Sequence, residues 1–356
     1  MAKEFQDQGH EVMLYTFSLQ YPNFLFPGKT QYSEDPAPSD IKIQRTISSV
    51  NPINWIIQGN KIRKKNYDLV IIKFWLPFMG PAFGTILRRI KRNKKTKVIT
   101  IIDNIIPHES RIGDRPFTKY FVKAVDGFVA MTQSVLDEIS IFDTKKPKLL
   151  SPHPIFDNFG AVEPREVALG KIGLPKDSKY IMFFGFIRDY KGLDLLLEAF
   201  ADKRFRENGY KLIIAGEYYS NKEKYQTLIK KLGLRNDIYQ FDKFIADSEV
   251  AHFFNACDLL VQPYKTATQS GVTQIAYHFN KPMIVTNVGG LSEMCPNEKV
   301  GYVVDPNPMK IADSILRFFT DTDHEAMQKS MMEEKKKYSW KILVNNILKL
   351  KSMINA

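Results

Sequence analysis

Cysteine is scarce in this sequence, and no apolar run is long enough to cross a bilayer. Only Cys257 and Cys295 occur in the chain, which argues against a disulfide framework and favours a reducing compartment. The first residues lack the apolar core of a signal peptide, and no stretch reaches the roughly 18 apolar residues of a membrane-spanning helix. We therefore expect a cytoplasmic protein, and the two cysteines suggest no metal site.

Acidic residues are outnumbered by basic ones, which gives the chain a formal charge of +12. Basic clusters lie at residues 61–65, 88–92 and 334–337. Such runs most often form solvated helix faces. The alternative is attraction to anionic lipid headgroups, which would hold the protein at the inner face of a membrane. No recognised nucleic-acid-binding module accompanies the charge, so nucleic acid is not an expected partner.

Short apolar runs alternate with amphipathic stretches of helix length along the whole chain. Eight runs have the length of a strand: residues 12–17, 69–74, 98–102, 128–131, 181–184, 212–215, 259–261 and 283–285. Nearly continuous apolar strands separated by helices are typical of parallel sheets that are buried on both faces. The sequence therefore predicts an α/β fold with two Rossmann-like, doubly wound domains.

A segment rich in proline and ending in glycine, residues 151–160, lies close to the middle of the chain and fits neither periodicity. We predict one domain over residues 1–160, a second over 161–335, and a last helix over 336–356 that crosses back to the first domain. Open α/β sheets bind ligands at the carboxyl ends of their strands. We expect the ligand in the cleft between the two domains.

The start of the chain predicts a helix over residues 2–8 that Gly9 closes and that the strand at 12–17 follows at once. A doubly wound sheet ordinarily has a strand before its first helix. We therefore expect the first strand of the N-terminal domain, and the turn after it, to be absent, as in an N-terminally truncated protein.

Two cations, Arg188 and Lys191, follow the strand predicted at 181–184 and precede a helical segment at 193–200. On a loop at the carboxyl end of a strand, arginine as a planar fork and lysine as a point charge can clamp a diphosphate. Taken alone, this motif is better explained as an ordinary surface loop.

A second anion site is predicted where a helix begins near residue 271. Ser270 is a favourable N-cap, and Gly271 lets a ligand approach the backbone. The free amides of Gly271, Val272 and Thr273, together with the helix dipole, attract an anion. Gln274 lies one turn along the same face, within reach of a ribose hydroxyl. A well-capped core helix without a ligand is the alternative.

Taken in order, these motifs resemble the retaining glycosyltransferases of the group 1 (GT4) class, which have the GT-B architecture. The likeness covers nearly the whole chain. It rests on residues 9–12, 185–192, 256–264, 270–272, 288–290 and 338–340. None of these motifs is specific alone, whereas their order along the chain is.

The resemblance implies a nucleotide diphosphate-sugar as donor and transfer of its sugar, with retention, to a carbohydrate or lipid-linked glycan. Surface polysaccharide or lipopolysaccharide synthesis is the usual setting of relatives. Arg188 and Lys191 would hold the diphosphate, and the turn at 270–273 its distal phosphate. The base would lie against the loop of Phe244 and Ile245. Neither a metal nor a cofactor other than the donor is expected.

The sequence departs from this family at the donor sugar. The paired glutamates of relatives fall on Thr266 and Gln274, which carry no charge, and Phe186 stands where relatives have arginine. Thr266 and Gln274 remain candidates for contact with the donor sugar and the ribose. A catalytically weak homologue that binds a nucleotide-sugar or a partner protein is the alternative function.

On the acceptor side, the strand at 98–102 runs into a polar cluster that contains Asp103, His108 and Glu109. The resemblance places this loop at the cleft, so these three residues are candidates for acceptor contact or proton transfer. Capping of the following helix is an equally good reading of His108 and Glu109.

Overall fold

The structure is a computed structural model that describes residues 1–22, 37–107, 111–156, 158–219, 221–267 and 270–355. The chain divides into two compact units. Unit 1 comprises Met1–Pro152 and Trp340–Ala356, and unit 2 comprises His153–Ser339. The division lies earlier than residue 160, where the sequence suggested it, and the chain returns to unit 1 at Trp340 rather than at residue 336.

The elements of the first stretch of unit 1 are α1 (Ala2–Asp7), β1 (Met13–Leu19), β2 (Lys42–Ser48), α2 (Pro52–Lys64), β3 (Leu69–Phe74), α3 (Gly80–Ile90), β4 (Lys97–Ile102), α4 (Asp114–Val122), β5 (Gly127–Ala130), α5 (Gln133–Phe142) and β6 (Lys148–Leu150). Short 3-10 turns lie at Pro77–Met79 and Lys91–Asn93.

Unit 2 contains α6 (Arg165–Lys171), β7 (Tyr180–Phe184), α7 (Leu193–Phe200), α8 (Lys203–Glu207), β8 (Lys211–Ala215), α9 (Lys222–Lys231), β9 (Ile238–Phe241), α10 (Asp247–Ala256), β10 (Leu259–Gln262), α11 (Gly271–His278), β11 (Met283–Thr286), β12 (Gly301–Val304), α12 (Pro308–Thr320) and α13 (His324–Lys335). Its 3-10 turns lie at Asp189–Lys191, Gly289–Met294 and Lys336–Tyr338. The last helix, α14 (Trp340–Asn355), belongs to unit 1.

The sheet of unit 2 has six parallel strands in the order β12-β11-β10-β7-β8-β9. The chain starts at β7, proceeds outward to β9, and then returns to the other side of β7 with β10. The order of the strands therefore reverses between β7 and β10. In open α/β sheets, the carboxyl ends of the strands at such a reversal form the ligand-binding crevice.

Unit 1 has two parallel sheets where the sequence suggested one. The strands β3-β4-β5-β6 form one sheet, and β1 pairs only with β2. A cavity of about 620 Å³ is lined by both β1 and β3. Side chains connect the two sheets, because the hydroxyls of Tyr15 and Tyr67 are 3.1 Å apart and the rings of Phe17 and Trp75 are 6.2 Å apart. Among the described residues, no strand lies between β1 and β3.

The helix α14 packs on the four-stranded sheet of unit 1. Its buried apolar side chains form one core cluster with those of β4 and β5: Leu343, Val344, Ile347 and Leu350 meet Ile99, Ile101 and Val129. A Cβ atom on Gly127 would lie only 3.0 Å from Cδ1 of Ile354, so the helix approaches the strand closely at this glycine. No helix among the described residues is both long and apolar enough to cross a membrane.

All eight strands predicted from apolar runs are confirmed, and four others were missed. The missed strands are β2, β6, β9 and β12, and each lies at the edge of its sheet. Of these, β2 mixes polar and apolar residues, whereas β6, β9 and β12 have only three or four residues each and are too short to give a clear apolar run.

The close pairing of β11 with β12 gives a test of the fold. Gly301 has a φ of +150°, and a Cβ atom there would lie 1.7 Å from the carbonyl oxygen of Met283. We expect Gly301→Ala to lower the free energy of unfolding by at least about 2 kcal/mol. The control Gly170→Ala, on the open side of α6, should change it by less than about 1 kcal/mol. Urea denaturation measures both, and equal effects would contradict this close approach of the two strands.

Candidate functional site

The loop that follows β7 is fixed by backbone hydrogen bonds at the reversal point of the sheet. The N–H of Ile187 donates to Glu217 O at 2.9 Å, and the N–H of Lys265, after β10, donates to Tyr190 O at 2.7 Å. Gly192, with a φ of +67°, lies so close to the other loop that a Cβ atom would be 1.9 Å from Pro263 O. The loops after β7 and β10 therefore lie side by side, and each holds residues that the sequence singled out.

Lys191 is the most unusual residue of this site, because its charged side chain is only 8% exposed. Its ammonium group lies 5.6 Å from the centre of the Tyr264 ring. Among the described residues, no carboxylate lies within ion-pair distance of it. Burial, and then the charge of Arg188, lower the pKa of Lys191 to about 8. Lys191 is therefore a buried cation that has no counter-charge in the part of the chain that the structure describes.

The acidic side chains nearest this loop already have partners. Asp189 accepts hydrogen bonds from Lys224 at 3.1 Å and from the hydroxyl of Tyr225 at 3.0 Å, and these bonds, led by that of Lys224, lower the pKa of Asp189. Asp194 pairs with Lys265 at 2.6 Å. Neither carboxylate neutralises Lys191, so the positive charge of the loop remains available to a ligand.

Arg188 is exposed, and its guanidinium lies 4.5 Å from the centre of the Tyr219 ring. A stacked guanidinium keeps its N–H groups at the edge, where they can donate to an anion. No carboxylate of the described part of the chain forms an ion pair with Arg188. The two cations predicted from the sequence are therefore neighbours, and neither is paired with an acid there.

The first turn of α11 lies beside Lys191. A Cβ atom built on Gly185 would be 3.2 Å from Nζ of Lys191 and 3.6 Å from Cγ2 of Val272, so the ammonium group and the helix start converge on one point. The first N–H groups of a helix have no intrahelical partner and carry the positive end of its dipole. The cation and the helix terminus therefore attract the same anion.

Ser270 occupies the N-cap position, but its side chain does not cap the helix as the sequence suggested. Its hydroxyl lies 3.2 Å from that of Tyr264, the residue whose ring faces Lys191. Thr273 is buried, its hydroxyl bonds to the side chain of Gln262, and its N–H donates to Ser270 O. The amides of Gly271 and Val272 are thus the better candidates for phosphate contact.

The two positions predicted near the donor sugar differ in exposure. Thr266 is exposed on the loop after β10. Gln274 is 1% exposed, its Nε2 lies 3.8 Å from Sδ of Met294, and its Oε1 has no hydrogen-bond partner among the described residues. This oxygen is buried in the unliganded site, and its contact with a ribose stays a prediction.

Three exposed aromatic side chains lie together at the carboxyl ends of β7, β8 and β9. We call Phe186, Tyr219 and Phe244 the aromatic cluster. The ring of Phe186 lies 4.8 Å from that of Tyr219 and 6.0 Å from that of Phe244. The sequence pointed to Phe244, while its neighbour Ile245 is buried in the core. It missed the other two, although Phe186 stood out as the residue in place of an arginine.

Asp103, the acceptor-side candidate, lies in unit 1 directly after β4. Its Oδ2 pairs with Nζ of Lys73 at 3.1 Å, and its Oδ1 is buried without a partner among the described residues. His108 and Glu109 lie outside the described residues. Within the described ranges, no three histidine, cysteine or carboxylate side chains are grouped as a metal site requires.

Comparison with known proteins gives a family for unit 2. Residues 164–338 match the family model described as glycosyl transferases group 1. The D-inositol 3-phosphate glycosyltransferase of Streptomyces avermitilis is 26% identical over 274 residues, which cover 72% of this chain and 58% of that protein. The chain thus matches less than two thirds of this relative's length.

Solved structures share the fold at low sequence identity. A glycosyltransferase from Rickettsia africae superposes with a TM-score of 0.74 and 18% identity, over 99% of this chain and 92% of that one. Anabaena HepE, crystallised in complex with UDP-glucose, gives a TM-score of 0.64 and 15% identity, over 88% of this chain and 85% of its own.

The buried charge of Lys191 predicts a gain in stability on its removal. The unfolded chain holds this proton up to a pKa of about 10.4, so the folded protein binds fewer protons between about pH 8 and 10.4, and its stability rises with pH there. We expect Lys191→Met to raise the free energy of unfolding at pH 7 by up to about 3 kcal/mol. The gain should shrink as the pH approaches 10.

Urea denaturation at pH 7 and 9.5 measures this difference. The control Lys211→Met removes a lysine that pairs with Asp237 at 2.8 Å, and it should lower stability because it leaves that carboxylate with one partner fewer. A loss of stability in Lys191→Met at pH 7 would contradict the prediction that burying this charge destabilises the folded protein.

Proposed function

Because the chain belongs to the group 1 glycosyl transferases and has the GT-B fold, we propose that it moves a sugar from a nucleotide diphosphate-sugar to a carbohydrate or lipid-linked glycan, with retention. The observation that carries this proposal is the pair of unneutralised cations, Arg188 and Lys191, beside the start of α11. A donor diphosphate supplies the negative charge that this loop lacks, and binding it would raise the pKa of Lys191 again.

The same charges explain how the site would accelerate the reaction. When the bond between sugar and diphosphate breaks, negative charge develops on the departing phosphate. Arg188 would donate hydrogen bonds to the departing phosphate from its planar guanidinium. The ammonium group of Lys191 and the amides at 271 and 272, which are shielded from water, would stabilise the same charge. These groups are fixed by the fold before the donor arrives, so little reorganisation accompanies the step.

The nucleoside would extend from the diphosphate toward the aromatic cluster. The flat face of a nucleobase is apolar. Stacking of the base on Phe186 and Phe244 would remove that face and the faces of the two rings from water. The Oε1 of Gln274, which has no partner among the described residues, would accept a hydrogen bond from a ribose hydroxyl, and Thr266 would lie on the sugar side. HepE binds UDP-glucose, so UDP-glucose is the first donor to test.

On the acceptor side, Asp103 is the described residue best suited to contact a hydroxyl. Its buried Oδ1 has no partner among the described residues and would accept the acceptor's proton, while Lys73 holds Oδ2. His108 and Glu109 stay candidates for the same role. Surface polysaccharide or lipopolysaccharide synthesis is the setting we propose for the acceptor, at the inner face of the membrane.

The second candidate is a homologue that binds a nucleotide-sugar and turns it over weakly or not at all. It is favoured by the absence of a carboxylate at Thr266 and Gln274. A short hydroxyl and an amide cannot place negative charge next to a donor sugar that becomes positive as its bond breaks. The phosphate-binding residues alone would then explain binding without efficient transfer.

Donor binding is tested by thermal unfolding with UDP and UDP-glucose. A ligand at 100 times its Kd stabilises the folded state by about 2.7 kcal/mol, which corresponds to a rise of several degrees in Tm. We expect this rise in the unmodified chain and its loss in Arg188→Ala and Lys191→Met. The control Arg317→Ala removes an arginine that also lies over a tyrosine ring, that of Tyr302, and should keep the rise.

A rise in Tm that survives both site substitutions would place the diphosphate elsewhere. Transfer is then assayed with carbohydrate and lipid-linked acceptors, and the anomeric configuration of the product is read from NMR coupling constants. Turnover with retention supports the enzyme. Tight binding of UDP without turnover on any acceptor favours the second candidate.

The aromatic cluster predicts a contact that depends on the base. We expect Phe186→Ala to weaken UDP binding roughly tenfold, since stacking contributes about 1–3 kcal/mol per base, and to leave pyrophosphate binding unchanged. Phe186→Tyr keeps the ring and should keep the affinity. Isothermal titration calorimetry measures the affinities of each variant for both ligands. Equal losses for UDP and pyrophosphate would show that Phe186 orients Arg188 instead of holding the base.

A further inference from the structure

The helix α2 has large apolar side chains on the face opposite its buried one. Gln58, Gly59 and Ile62 turn inward and are buried. On the outward face, Ile53 is 69% exposed, Ile57 is 45% exposed and Ile56 is 38% exposed. These three residues, spaced as neighbours on one helix surface, are called the isoleucine ridge below.

The isoleucine ridge is unusual because a helix on a protein surface ordinarily has polar residues opposite its core face. Single exposed apolar residues need no explanation, whereas a contiguous group of large ones commonly marks an interaction site. Val50, just before the helix, is also exposed and extends the apolar surface. The composition of α2 suits a helix with apolar contacts on both sides.

The ridge is presented by a helix that is firmly attached to unit 1. Asn51 caps α2 by accepting a hydrogen bond from the N–H of Asn54 at 3.1 Å, and Nε1 of Trp55 donates to Ser48 O at 2.6 Å. A Cβ atom on Gly59 would lie 2.6 Å from Cβ of Arg89, so α2 and α3 pack closely. The isoleucines are therefore exposed on an ordered helix, not on a frayed one.

Positive charge continues from the ridge along the same helix. Lys61, Lys64 and Lys65 are exposed, and none forms an ion pair with the described residues. Arg92 and Lys94, which follow α3, add exposed charge to the neighbouring helix end. A membrane surface has an outer layer of anionic headgroups above a layer of acyl chains. The exposed lysines match the headgroups, and the apolar side chains beside them match the acyl chains.

We propose that α2 lies in the interface of an anionic membrane, with the isoleucine ridge among the upper acyl chains and Lys61, Lys64 and Lys65 at the lipid phosphates. A second copy of the chain fits this surface less well. A second copy would offer another apolar ridge, but beside that ridge lie the same lysines, so it brings no negative charge to Lys61, Lys64 and Lys65. A membrane supplies the opposite charge instead.

Membrane contact through α2 would bring unit 1 to the lipid surface. The protein and a lipid-anchored acceptor would then diffuse on the same membrane surface, which raises the local concentration of the acceptor near the protein. The contact itself involves none of the residues assigned to the donor site. Vesicle binding can be measured without donor or acceptor, so a chain that transfers no sugar still gives a clear result.

A fluorescent label tests where α2 lies. Cys257 and Cys295 are buried, and burial raises the pKa of each thiol to about 12, so a cysteine introduced at an exposed position reacts selectively. We expect an environment-sensitive dye on Ile53→Cys to shift to the blue with vesicles of phosphatidylcholine and phosphatidylglycerol. The same dye on Met309→Cys, a site in unit 2 that is 68% exposed, should not shift.

Vesicle flotation measures the strength of the contact with unlabelled protein. The double variant I53S/I57S should lose at least about tenfold in binding, whereas I53L/I57L should bind as the unmodified chain does. Replacing Lys61, Lys64 and Lys65 by glutamine, or raising the salt, should weaken binding to anionic vesicles. Circular dichroism confirms that each variant is folded.

Three results would overturn the proposal. The first is that the unmodified chain fails to bind anionic vesicles. The second is that I53S/I57S binds them as well as the unmodified chain does. The third is that light scattering shows a dimer that I53S/I57S abolishes, while the chain does not bind vesicles. The isoleucine ridge would then be a contact between two copies of the chain.

Discussion

The site in unit 2 depends on the parallel pairing of β7 with β10. The chain reaches β10 only after it has added β8 and β9 on the other side, so two segments far apart in sequence end at the same edge of the sheet. The contact between Gly192 and the carbonyl of Pro263 sets their spacing, because any larger residue would separate the loops. The cations and the start of α11 can act on one ligand because this pairing brings them together.

Lys191 shows that the site is not arranged for the stability of the protein alone. A side chain that ends in a charge has been buried against Tyr264 without an acidic partner among the described residues, while nearby acids pair with Lys224 and Lys265. Such an arrangement lowers the stability of the unliganded fold and makes the loop more attractive to an anion. When an anionic ligand binds, it pairs with the buried charge, so the destabilisation of the unliganded protein is relieved and binding is strengthened.

The sequence predicted eight of the strands because continuous apolar runs carry that signal, and its two candidate phosphate-binding segments lie beside each other in unit 2. It missed β2, which mixes polar and apolar residues, and the short strands β6, β9 and β12. It could not show that the hydroxyl of Ser270 lies next to that of Tyr264, or that the hydroxyl and N–H of Thr273 already have hydrogen-bond partners. Both findings depend on contacts between segments that the fold brings together. Tyr219 and Phe186 were missed as partners for the same reason, because they follow different strands and meet only in the folded sheet.

The division of unit 1 into two sheets has a consequence for how force passes through it. The hydroxyl pair Tyr15 and Tyr67 and the rings of Phe17 and Trp75 bridge the cavity, while no backbone ladder does so among the described strands. Side-chain contacts slide and re-form more readily than a row of backbone hydrogen bonds. The other connection is the close packing of α2 on α3 at Gly59, so a load applied to α2 would reach the four-stranded sheet through packed side chains and not through backbone hydrogen bonds between the sheets.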